Sequence, residues 1–131
     1  MSQKMSEVKE WLQKAEQDLV AARVLLKNDP PVLEPACFHC QQAVEKALKA
    51  FLVWKGIPFE EVHNLTYLMD LCELQEPDFA SLRDMAEKLS PYAVKIRYPT
   101  KSVKVTKKKA QESLVITESI WKFIINLMPM Y

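Results

Sequence analysis

A single glycine, Gly56, stands in a chain of 131 residues, and that scarcity narrows the fold before any motif is read. Sheets joined by tight turns draw on glycine for the positive backbone angles their turns require. One glycine beside eight prolines instead favours helices joined by proline-containing loops. The apolar spacing agrees. Val8, Trp11, Leu12, Ala15, Leu19, Ala22 and Leu26 recur at three- and four-residue steps, which predicts a long helix over residues 5 to 27. Asp29, Pro30 and Pro31 close it. Pro35 suits the first turn of a second helix that runs to about Lys55, with Gly56 as its C-terminal cap. His63 or Asn64 caps a short third helix holding Leu65, Leu68, Met69 and Leu71. Pro77 opens a fourth with Phe79, Leu82, Met85, Ala86 and Leu89, and Ser90-Pro91 starts a brief turn around Tyr92. Thr106 caps a last helix to about Met128. Apolar positions of that helix, from Ala110 to Leu127, cover about half the cylinder, wider than one small bundle needs, and so hint at a partner surface.

Composition sets the class. Hydrophobic residues at 49% and charged residues at 27% give a globular balance, enough for one domain over residues 1–131 with a real core. No apolar run reaches the ~18 to 20 residues that span a bilayer, and the polar N-terminus lacks a secretory centre. Three cysteines, an odd number, suit a reducing interior better than a disulfide framework. The expectation is a soluble cytoplasmic protein without a cofactor.

Charge is unevenly placed. Lys88, Lys95, Arg97, Lys101, Lys104, Lys107, Lys108 and Lys109 fall within a stretch that contains no acid, while acids predominate elsewhere. Lys107 to Lys109 occupy the first turn of the last helix, where positive charge opposes the macrodipole unless an anion sits there. Arg97-Tyr98 just upstream offers a planar guanidinium for phosphate and a ring for stacking on a base. A structural ion pair of Arg97 with an acid such as Asp18 is the equal alternative.

The stretch CFHCQQAVEKALKA, Cys37 to Ala50, concentrates the remaining chemistry. At ~100° per residue, Cys37 and Cys40 fall with Ala43, Val44, Ala47 and Phe51 on the core side. His39, Gln42, Lys46 and Lys49 share the other side, with Glu45 beside them. Cysteines and histidine therefore diverge, which argues against tetrahedral zinc, a redox pair or a cysteine–histidine nucleophile. The polar arc reads either as a solvated helix face or as a donor-rich surface for phosphate oxygens.

Taken in order, WLQKAEQDLVAARVLL, CFHCQQAVEKALKAFLVWKGI, HNLTYLMDL and LSPYAVKIRYP resemble the HEPN domains (higher eukaryote and prokaryote nucleotide-binding) over about residues 9 to 128, in a branch marked by Arg97-Tyr98-Pro99. Ile96 stands where that pattern has a small residue. The resemblance implies an all-α, up-and-down bundle of four main helices with additional short ones. It also implies a homodimer, nucleotide or RNA association, and a partner nucleotidyltransferase of the minimal type. Carried over by position, the nucleotide- or phosphate-binding candidates are His39, Gln42, Lys46, Lys49, His63, Arg97 and Tyr98, supported by Asp18, Glu45 and Tyr92. The ribonuclease branch uses an arginine followed four to six residues later by histidine. Arg23, Arg83 and Arg97 all lack such a histidine, so a non-catalytic binding module is the expectation. The alternative is a ribonuclease toxin of a toxin–antitoxin pair with a non-standard site built on His39 or His63.

Overall fold

The computed structural model describes residues 2–94 and 104–129. They form α1 (Gln3–Lys27), α2 (Leu33–Lys55), α3 (Leu65–Gln75), α4 (Arg83–Glu87) and α5 (Lys107–Leu127), with 3₁₀ turns at Pro77–Leu82 and Ser90–Tyr92. There is no strand among the described residues, and the all-α expectation holds.

Side-chain contacts fix the directions of the helices. Asp18 meets His39 and Lys46 across α1 and α2, and the short link is clamped where the Val32 N–H donates to the Leu25 carbonyl at 3.0 Å. The two helices are therefore an antiparallel hairpin. Cys37 meets Ser113 and the Cys40 carbonyl meets Thr117, so α2 and α5 advance together. Arg23 of α1 pairs with Glu118 of α5 at 2.9 Å, closing the up-and-down arrangement.

The second helix is the axis of the bundle. Every residue from Cys40 to Leu52 is buried except Lys46. Its apolar side chains meet Val8, Leu12 and Ala15 of α1, Leu65, Leu68 and Cys72 of α3, and Ile116, Ile120 and Ile124 of α5 in one core. Phe79 closes that core with its ring centroid 4.9 Å from Phe51 and 5.0 Å from Phe123, both edge-on. Such pairs add about 0.5–1.5 kcal/mol each beyond the area they bury. A smaller cluster of Cys37, Tyr92 and Ala110 seals the end of the bundle where α5 begins.

Local signals set the boundaries. Gly56 takes the left-handed conformation, φ 71°, as the α2 cap. Asn64, rather than His63, caps α3 by accepting from the Tyr67 N–H at 3.1 Å. Thr106 caps α5 in the same way towards Lys109. The second helix starts at Leu33 and holds Pro35 in its first turn, as expected, because a proline there gives up only an N–H that has no intrahelical partner. One boundary differs from expectation. The segment opened by Pro77 is 3₁₀ before it becomes α4, and Arg83 ties it to Asp70 and Glu73 of α3. On α5 the wide apolar face is divided. Ile116, Ile120 and Ile124 are buried, Trp121, Phe123 and Ile125 are half-buried, and Val115 is 63% exposed.

Candidate functional site: a polar seam between the first two helices

The polar arc of α2 is neither a solvated face nor one open anion-binding surface, because α1 packs over it. The arc divides into two clusters, each organised by one carboxylate.

The first lies midway along the hairpin. Asp18, 8% exposed, takes the His39 Nδ1–H on Oδ1 at 2.8 Å and the Lys46 ammonium on Oδ2 at 2.6 Å. A carboxylate only accepts, so the geometry fixes the proton on Nδ1 and leaves Nε2 as the outward nitrogen. The His39 and Lys46 side chains keep 29% and 24% exposure, enough to meet a ligand from solvent. A histidine oriented in this way is also the arrangement of a general base.

The second cluster is deeper. Glu45, 1% exposed, accepts from Lys49 at 2.9 Å, from His63 Nδ1 at 3.0 Å and from Gln41 Nε2 at 3.2 Å. Gln42 Nε2 donates to the side-chain Oε1 of Gln41 at 2.7 Å, so its amide completes the chain instead of facing solvent. The Lys49 ammonium lies 5.3 Å from the Trp11 ring centroid. His63 comes from the loop between α2 and α3, and its side chain is 69% exposed. A groove of about 800 Å³ opens beside it, lined among others by Lys4, Trp11, Lys49, Phe59 and Glu61.

The expected site residues are therefore placed as follows. His39 and Lys46 come together on Asp18, and Lys49 and His63 on Glu45, with Gln42 behind them. Tyr92 is buried at the far end beside Cys37 and Ala110. Arg97 and Tyr98 lie outside the described residues, and so does the proposed pairing of Arg97 with Asp18. Lys107, Lys108 and Lys109 are exposed at the start of α5, and Lys88 pairs with Glu112 at 3.0 Å. Trp11, Phe59 and Lys4 are not among the residues that the sequence singles out for a site. Trp11 stands there only as one member of a core stripe, although it reaches the groove edge.

The cysteines belong to the interior. Cys37, Cys40 and Cys72 are all buried. Burial pushes the Cys40 thiol up to about 12 and raises Cys72 as well. No group of three or more metal-ligating side chains occurs among the described residues, and no helix among them is long and apolar enough to cross a membrane.

Comparison with known proteins places this geometry in a context. The family model described as "HEPN domain" matches residues 8–127. A protein of Methanocaldococcus jannaschii named "Putative toxin MJ1304" is 31% identical over 90% of this chain and 86% of its own length. Among solved structures, ST0689, "an archaeal HEPN homologue", superposes with a TM-score of 0.71 at 26% identity, covering 92% of this chain and 96% of the other. TT1696 from Thermus thermophilus superposes with a TM-score of 0.76 at 27% identity, covering 92% and 98%.

Proposed function

This chain belongs to the HEPN family, and from that premise we propose that it is a single-domain module that binds a nucleotide or RNA through the α1–α2 seam. The observation that carries the reading is the pair of carboxylate-held histidines, His39 on Asp18 and His63 on Glu45, each sharing its carboxylate with a lysine. Each cluster fixes a ring and an ammonium in register and turns Nε2 outward, where it donates to a phosphate oxygen once the ring carries its second proton. Exposed Lys104, Lys107, Lys108 and Lys109 add a basic surface at one end of the bundle. Arg97-Tyr98-Pro99 would contribute a guanidinium and a ring, as in the branch that carries this motif. The half-buried apolar residues of α5 suit a second copy of the chain, and a minimal nucleotidyltransferase is the proposed protein partner.

A second reading has its own support. The relative named as a toxin and the Asp18–His39 dyad together fit a ribonuclease in which His39 acts as base. Titrating labelled RNA and nucleotides against the wild type and a Lys46→Ala, Arg97→Ala double variant tests the binding reading, with ~10-fold or greater weakening expected. Equal affinity would remove the seam from consideration. Cleavage of total RNA that disappears in His39→Gln, with the fold intact, would move the assignment to the toxin.

A further inference from the structure

The link between α2 and α3, residues 56–64, follows a path set by few bonds. At its start the Gly56 and Ile57 N–H groups donate to the Val53 and Leu52 carbonyls and belong to the helix end. Inside it, the Val62 N–H donates to the Glu60 carbonyl at 2.9 Å, and the Glu60 N–H to the Tyr67 hydroxyl of α3 at 3.0 Å. At its close Asn64 caps α3. Past the helix end, the polar contact among the described residues that joins this link to α2 is His63 on Glu45. Ile57 and Phe59 pack partly against the core, while Glu60, Glu61 and His63 are exposed.

What His63 covers matters more than the contact itself. Glu45 and Lys49 are buried, and the other donors to the carboxylate, Lys49 and Gln41, belong to α2. Those two bonds lie within about a turn of one helix and persist whatever the link does. The imidazole is the donor that a separate segment brings, and it stands on the solvent side of a pair otherwise closed in by Trp11. Swinging it out breaks little, because the side chain is largely exposed already and water replaces the lost bond. The effect beneath is larger. A carboxylate and an ammonium then face the groove whose wall Lys49 already shares. An exposed, easily broken contact over a buried charge pair is built like a latch, and segments held by so few bonds open locally without unfolding the rest.

We infer that residues 56–64 are a strap latched to α2 through His63 and Glu45, and that releasing the latch opens the Glu45–Lys49 pair to the groove. Latched, the carboxylate has its donors in place and the ammonium is out of reach. Released, the pair presents an acceptor and a donor side by side. The strap thus regulates the deeper cluster, whereas the Asp18 cluster is built from α1 and α2 alone and is the same in both states. The use of this device rests on the seam reading above; the device itself does not.

Hydrogen exchange and lysine labelling of the full chain without ligand test it. In the wild type, the Glu60 and Val62 amides should exchange at rates insensitive to low denaturant, the mark of local opening, while the central amides of α2 respond to it. His63→Ala should speed those two amides by ~2- to 5-fold, the range set by losing a solvent-screened contact to a carboxylate, and leave α2 unchanged. Reductive methylation of Lys49 should quicken by the same factor, with Lys46, held on Asp18, unaffected. His63→Asn, whose side-chain amide can take the place of Nδ1, should return both rates towards wild type. Unchanged Glu60 and Val62 rates in His63→Ala overturn the latch. Acceleration spread equally through α2 overturns it too, because the contact would then be merely structural, as does a wild-type strap that opens only together with α2. Faster strap amides with Lys49 labelling unchanged refute the claim that the strap covers the pair. Every reading is taken without ligand, so failure here leaves the seam reading to its own titration, and failure of that titration leaves the latch standing.

Discussion

Replacing Glu45 by leucine tests whether the deep cluster is a positioning device held at the expense of stability. The substitution leaves the Lys49 ammonium, whose side chain is 8% exposed, without its carboxylate. Removing one partner of a buried pair costs about 3–5 kcal/mol. The Trp11 ring still faces the ammonium at 5.3 Å and recovers part of that, so about 3 kcal/mol is expected. Loss of the His63 contact adds little, because that side chain is 69% exposed and solvent screens it. Gln41, fully buried, loses an acceptor, for about 1 kcal/mol more. The Glu45→Leu, Lys49→Met double variant removes both charges and should return to within about 1 kcal/mol of wild type, with the orphaned Gln41 amide as the residue of the cost. Urea unfolding followed by far-ultraviolet circular dichroism measures each. With a slope near 2 kcal/mol per molar urea, the single variant loses ~1.5 to 2 M at the midpoint and the double about 0.5 M. The reasoning fails if the single substitution moves the midpoint by less than ~0.3 M, or if the two losses simply add. A rescued double variant that no longer binds nucleotide or RNA would show the cluster to be kept for the ligand.

Other consequences can be measured separately. Cys40 and Cys72 should resist iodoacetamide at pH 8 in the native state and react once the chain is unfolded in guanidinium; rapid native labelling would contradict their burial. Both thiols are raised in the folded chain, so the stability they support is intact below pH 9, their unfolded value, and is lost as pH rises towards the folded value. The loss is about 1.4 kcal/mol per pH unit for each thiol, and Cys72→Ala should flatten the slope. Asn64→Ala removes the α3 cap and should cost about 1 kcal/mol, with faster amide exchange at Tyr67 as its local signature. Phe79→Ala should cost about 3–5 kcal/mol, because the ring is fully buried between Phe51 and Phe123; a loss under 1 kcal/mol would mean that the aromatic cluster is not formed.

The helices were legible in the sequence because their signals are local. Apolar steps of three and four, proline after Asp29, glycine at 56 and the polar caps at Asn64 and Thr106 each act within a turn or two, so the sequence alone determined that the protein is all-α and closely where its helices run. It also determined that the cysteines of α2 point inward, since helical geometry separates them from His39. Burial of the polar arc was a different matter. A helical wheel puts His39, Gln42, Lys46 and Lys49 on one face, but it contains no information about which side chains another helix will cover. Only the antiparallel docking of α1 brought Asp18 to His39 and Lys46, and only the return of the chain after Gly56 brought His63 to Glu45. These contacts join residues 18 to 28 positions apart, where no local propensity acts. Tertiary packing therefore divided one polar face into two carboxylate-centred clusters and turned Trp11 from a core residue into the edge of a groove.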